Sequence, residues 1–429
     1  MTKTTRTITR IARIPAGTAA GLATAAGIIA ISLSTVACET DAPVPDNQAD
    51  VVTDTIGDTV VVRTLAGSVW GGDATLEPEV SIGELDGPEE YLFGSVLSIA
   101  VDDDHNVYVL DWQAQEIRQY DAFGDYVGRL ARRGEGPGEL ALADRMAFLP
   151  DGRMVVPDQS NGRINVFGPG ANERDEWPLR SYNQSGPNRL WTDSAGRTYT
   201  LHLDLSSPAD DMLAGVIIVH GPDGTHLDTI PSPAAGFDRA ELSAPFTTPS
   251  GGRGLRTALV PFSPEALWAG HPHGGIVRGV SSDYPIDLQV GDRVLRIDRA
   301  VDPIPVSPAE RDRHRESITA DLRYAVPDWE WNGPPIPETK PVFRRLHSGK
   351  DGRIWVELSP ELRSAADISL GERIRYDVFE PDGTYLGAVN APADFRAAIN
   401  PVFDGDYVWA VTRDELDVQR VVRYRIVRE

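Results

Sequence analysis

The chain has 429 residues, 41 of them basic and 64 acidic, for a formal net charge of −23. Such acidity repels phosphate backbones and argues against a nucleic-acid partner. A single cysteine rules out an intramolecular disulfide framework, so stability must come from a packed core.

Met1–Ala37 reads as an export signal. Lys3, Arg6, Arg10 and Arg13 form a basic start with no acid, and Ala16–Val36 is uncharged and apolar. Removing it takes away four cations and lowers −23 to −27. Thr35-Val36-Ala37 places small residues before Cys38, which looks like the acylated cysteine of a bacterial lipoprotein. Thr35 departs from the leucine usual there. Ordinary cleavage after Ala37, or an uncleaved membrane-spanning helix, are the alternatives. An acyl group would anchor the protein without spanning the bilayer. Residues 38–58 are polar, acidic and proline-containing, which predicts a flexible tether. Residues 59–429 then form the folded domain. Lysine occurs only at 3, 340 and 350, which we read as base composition and not function.

Val96–Leu140 predicts four short strands. Val96–Val101 is a continuous apolar run, and Val107–Leu110, Ile117–Tyr120 and Tyr126–Leu130 follow after turn residues. Arg145–Leu179 repeats the unit around Asp151-Gly152. Further copies run from Leu190 to Ile230, Leu267 to Ile297, Phe343 to Val389 and Pro401 to Val427. Asp-Gly between apolar runs is a strong hairpin signal, because glycine accepts positive φ without a steric cost. A period near ~40 residues fits propeller blades of four antiparallel strands. The last copy lacks a fourth strand. Glu79–Leu85 precedes the first copy and is expected to complete the last, closing the ring. Thr59–Leu65 is a further strand with no assigned place.

The patterns IAVD, NVYVLD, IRQYD and GEGPGEL in this first unit resemble NHL-type repeats. They are most similar to the bacterial exported and lipoprotein six-bladed β-propeller family, over roughly Glu79–Val427. The resemblance implies an all-β fold of six four-stranded blades. It carries no single activity, since fold does not imply function.

Tight hairpins on one face send every long insertion to the other. Arg132–Arg145, Pro231–Ala258 and Asp302–Pro341 are expected to converge there as a cap over the central channel. Residues 302–341 hold one predicted helix. Ser307 caps it, Pro308 takes the first helical position, Glu310 completes the capping box, and Pro327 ends it. Trp329 and Trp331 follow. They either stack on a ligand or pack the helix down. Trp112 and the pair Arg132-Arg133 beside Gly134–Gly138 are further candidate binding residues. Those arginines and backbone N–H groups resemble an anion cradle, but no phosphate-binding loop follows.

Asp111, Asp158 and His202 end second strands at the same face. As a ring of carboxylates and imidazole they are candidate Ca²⁺ ligands or acid–base groups, but the two aspartates fit turn capping better, the usual role of that aspartate in NHL-like repeats. Similar propellers include Ca²⁺-dependent lactonases and esterases with a metal in the tunnel. Here the innermost strands are mostly apolar, so no cofactor is assigned, with calcium the one left open. No nucleophile elbow or HExxH is present, and we assign no catalytic residue. The favoured reading is an exported, lipid-anchored monomer that binds a small molecule or envelope protein. The competing one is a calcium-dependent hydrolase.

Overall fold

The computed structural model describes residues 49–169, 173–180, 182–183, 188–204, 215–248, 251–360, 374–396 and 399–428. The expected export signal, Met1–Ala37, and the expected acylation site, Cys38, lie outside them.

The N-terminal elements are β1 (Asp50–Ile56), β2 (Thr59–Ala66) and β3 (Ala74–Ile82). Asp50–Ile56 was expected within the tether but pairs with β2 as an antiparallel hairpin. Its β-branched residues favour an extended chain, and Gly57 supplies the turn at φ 60°.

Three four-stranded antiparallel sheets follow. The first holds β4 (Val96–Val101), β5 (Val107–Asp111), β6 (Glu116–Tyr120) and β7 (Tyr126–Ala131). The second holds β8 (Ala147–Phe148), β9 (Met154–Asp158), β10 (Arg163–Phe167) and β11 (Arg174–Pro178). The third holds β12 (Leu190–Thr192), β13 (Thr198–His202), β14 (Val216–His220) and β15 (His226–Pro231). A separate hairpin comprises β16 (Glu241–Thr247) and β17 (Arg253–Leu259).

The fourth sheet holds β18 (Ala266–His271), β19 (Gly275–Val280), β20 (Ile286–Val290) and β21 (Arg293–Arg299). Here β2 pairs in parallel with β21, which gives Thr59–Leu65 its place and carries β1 to the outer edge. Helix α1 (Pro308–Ala325) follows. The fifth sheet holds β22 (Phe343–Ser348), β23 (Ile354–Leu358), β24 (Arg375–Phe379) and β25 (Tyr385–Asn390). The chain ends with β26 (Phe395–Arg396), β27 (Val402–Asp404), β28 (Tyr407–Arg413) and β29 (Gln419–Arg428). Strand β3 pairs antiparallel with β29, so an N-terminal strand completes the C-terminal sheet. Through Ala74 and Thr75 it also pairs in parallel with β25.

Residues from β4, β8, β12, β18, β22 and β27 line one common cavity of about 230 Å³. Sheets arranged around a shared inner cavity make this a β-propeller architecture. Apolar clusters fill the seams between neighbouring sheets. In one of them Trp355 stacks on Phe403 at 4.3 Å. At the tight-turn end of the cavity, Lys350 Nζ donates to the Val101 and Asp102 carbonyls at 3.2 and 3.1 Å. It also pairs with Asp103 and Asp404, tying the fifth sheet to the first and the last.

The insertions after the third and fourth sheets pack on each other. Helix α1 begins as expected, with Ser307 Oγ accepting from the Glu310 N–H. Leu322 of α1 is buried with Leu242 and Ala244 of β16, and with Trp329. The segment Pro231–Ala258, expected as a loop, therefore contains most of a hairpin that supports the helix.

Candidate functional site

The long connections enter the inner strands at the end opposite the tight turns, so this end is the mouth of the ring. Asp111, Asp158 and His202 end second strands at this end, and each is engaged in its own way. Asp111 accepts from the backbone N–H groups of Gly94, Ser95, Gln113 and Ala114. Asp158 accepts from Ala141 and Leu142 N–H and from the Asn161 side chain. Both carboxylates are buried and tie a second strand to the loop beside it. His202 Nδ1 bonds the Arg180 carbonyl, and its Nε2 lies 2.8 Å from Thr200 Oγ1. Burial pushes its pKa down to about 4, against the raising effect of that carbonyl. The three residues stand in three different sheets. Among the described residues, no three His, Cys, Asp or Glu side chains gather as a metal ion requires.

The anion cradle exists, and the chain fills it itself. Arg132 Nε donates to Glu139 Oε1 at 2.9 Å, and Gly136 N–H donates to Glu139 Oε2 at 2.9 Å. These bonds hold the Glu139 carboxyl below its usual range. Arg133 instead donates to the carbonyls of Gln113 and Ala114. Trp112 remains half exposed. Trp329 is buried and its Nε1 donates to the Ser243 carbonyl at 2.8 Å. Trp331 Nε1 donates to the Pro334 carbonyl, and Arg315 covers its ring at 4.5 Å. Both tryptophans thus pack the cap.

Two further groups of charged side chains stand at the mouth. Arg145, Arg189 and Arg345 each stand seven residues before a left-handed turn glycine, respectively Gly152, Gly196 and Gly352. The repeat therefore puts them at one register, at the mouth ends of β8, β12 and β22. Arg145 Nη1 donates to the Leu97 carbonyl of the first sheet at 3.1 Å. Arg189 pairs with Asp144, joining the third sheet to the loop that enters the second. The Tyr182 hydroxyl lies beside the same carboxylate, and burial holds this phenol well above its usual pKa. Asp144 and Arg145 are only 2% and 8% exposed. Burial raises the Asp144 pKa despite both arginines, and burial with the nearby Arg189 lowers that of Arg145. Arg145 Nε has no hydrogen-bond partner among the described residues. An unmatched buried guanidinium donor is costly, and such strained charge clusters concentrate at functional sites.

The fifth sheet adds Glu357, whose Oε1 accepts from Arg344 Nε at 2.6 Å. Arg345 Nη1 and His347 Nε2 lie 3.9 and 3.6 Å from its other oxygen. Burial opposes ionisation of Glu357, but these neighbours outweigh it and its pKa is lowered. Four arginines thus face two carboxylates at the mouth of an otherwise acidic protein. Arg145, Arg189 and Arg345 lie in three separate repeats, with no local motif to join them. Aligning the copies on their turn glycines exposes the shared position.

No family model matches the chain, and no curated protein does either. Solved structures do. A protein described as exported, from Bacteroides fragilis, is 10% identical with a TM-score of 0.44, covering 82% of this chain and 95% of its own. A member of the DUF4221 family from Bacteroides vulgatus is 10% identical with a TM-score of 0.48, covering 83% and 99%. Virginiamycin B lyase from Staphylococcus aureus is 11% identical with a TM-score of 0.41, covering 82% and 100%. Among the described residues, no helix is long and apolar enough to cross a membrane.

Proposed function

We propose that the chain is an exported six-bladed β-propeller whose mouth binds a small organic anion. The observation that carries the reading is the shared register of Arg145, Arg189 and Arg345 at the mouth ends of three inner strands. Guanidinium groups match carboxylate and phosphate oxygens in geometry and charge. Arg145 and Arg189 are largely withdrawn from water, which strengthens such contacts because the local dielectric is low, while Arg345 keeps about a third of its side chain open to an incoming ligand. The cavity of about 230 Å³ deeper in the ring is mostly apolar, with Lys350 at its tight-turn end, and its size favours a small ligand. Export is supported by the basic, then apolar, start of the chain, and acylation of Cys38 would hold the propeller at the cell envelope.

Calorimetric titration with citrate, a compact multivalent carboxylate, tests the reading. Saturable binding is expected, and Arg345→Gln should weaken it about tenfold, the equivalent of about 1.4 kcal/mol. Binding indifferent to both Arg345→Gln and Arg145→Gln would remove the mouth from consideration.

A further inference from the structure

A second concavity lies on the flank of the ring, between the third and fourth sheets. Its volume is about 680 Å³, within the range of small-molecule sites. Tyr199, Val219 and Ile230 line one side and Ile276 the other. This seam is thinly packed, since Ile230, Ile276, Trp191 and Trp268 are only partly buried. The next seam has a larger core, burying Tyr284, Phe343, Phe379 and Tyr385 among further apolar side chains such as Leu346 and Val356. Neighbouring sheets of one propeller thus meet tightly on one side of the fourth sheet and leave a cleft of mixed apolar and polar lining on the other.

The charges around the cleft are unequal in their engagement. Arg197 lies over Tyr199 and is paired with Asp193 at 2.6 Å. Asp228 is exposed and accepts from the Thr229 N–H. Arg278, on β19 at the lining, is exposed; it stands opposite Asp287, whose carboxylate is taken by Arg296, and its guanidinium makes no hydrogen bond or ion pair among the described residues. A cleft with an apolar floor of Val219, Ile230 and Ile276 and a guanidinium in its lining suits a ligand with a hydrophobic body and one anionic head. We propose that this flank cleft is a second binding site, separate from the mouth, for an amphipathic organic monoanion. Its apolar part lies against Ile230 and Ile276, and its anionic head pairs with Arg278.

The probe is 8-anilinonaphthalene-1-sulfonate, followed by fluorescence with the full mature chain in low salt. We expect saturable binding that persists in the Arg345→Gln variant, where the mouth is weakened. Arg278→Gln, at an exposed position that should not disturb folding, is expected to weaken it about fivefold or more, as loss of a charge-assisted contact does. Asp228→Asn should tighten binding by removing a repelling charge. Decanoate should compete and decanol should not. Arg345→Gln should leave probe binding unchanged, which separates this cleft from the mouth. Absence of saturable binding, equal affinity in wild type and Arg278→Gln, or equal competition by decanol would each overturn the proposal.

Discussion

The Asp377 carboxylate accepts a 2.6 Å hydrogen bond from the Tyr284 hydroxyl inside the seam between the fourth and fifth sheets. Arg299 Nη1 donates to the same oxygen at 2.6 Å, and Tyr385 donates to the other at 2.8 Å. Asp377 comes from β24 and Arg299 from β21, so one buried anion ties two sheets together. Its burial is tolerated only because all three partners are present. Asp377→Ala strands the arginine and should cost roughly 3–5 kcal/mol of unfolding free energy. Tyr284→Phe removes one bond and should cost about 1 kcal/mol. Urea titrations would measure both, and equal small losses would show that the seam does not depend on this network.

Acid should destabilise the propeller before its carboxylates titrate. His202 is depressed from 6.5 to about 4 by burial. The unfolded chain therefore takes up the proton first, and stability is lost as pH falls from the unfolded value towards the folded one. At pH 5 the cost from this residue is about 2 kcal/mol relative to pH 7. His220 and His271 are depressed in the same direction, also chiefly by burial. His202→Gln should flatten the melting-temperature profile between pH 7 and pH 5. An unchanged profile would show that His202 is not the responsible group.

Chelation should have little effect. Asp111 and Asp158 already accept several backbone N–H bonds each, and His202 lies in a third sheet. We expect melting temperatures with and without EDTA to agree within about 1 °C, since ligand linkage requires a bound ion. A fall of several degrees, with calcium found by mass spectrometry, would restore the metal-dependent reading.

The cap should loosen without the ring. Trp329 anchors α1 to β16 through its buried ring and its bond to Ser243. Trp329→Ala removes packing of roughly 3–5 kcal/mol, by analogy with other buried aromatic truncations. Hydrogen exchange should quicken in β16, β17 and α1 while β8, β12 and β22 stay protected. Uniform loss of protection would mean that the cap is part of the global core.

Much of the ring was legible because its signals are local. Strands β4–β7 follow from apolar runs punctuated by turn residues, and the capping box at Ser307 fixes where α1 starts. The placement of β3 on β29 followed from counting strands in the last repeat. Strand β2 could not be placed, because its parallel pairing with β21 joins residues more than two hundred positions apart and leaves no local mark. The hairpin β16–β17 was hidden by Pro245, which breaks a strand pattern. At the mouth, Asp111 and Asp158 look alike as ligands and as caps until the surrounding N–H groups are seen. Glu139 was overlooked as the occupant of the Arg132 cradle, although it stands only seven residues away. Arg145, Arg189 and Arg345 become visible only when the repeats are superposed.

The most direct measurement is a crystal of the mature chain soaked in selenate, read from the anomalous signal of selenium. The account predicts a peak at the mouth within about 3.5 Å of a guanidinium nitrogen of Arg145, Arg189 or Arg345, the reach of a hydrogen bond. Peaks confined to other surfaces, with the mouth empty at a selenate concentration that fills them, would contradict it.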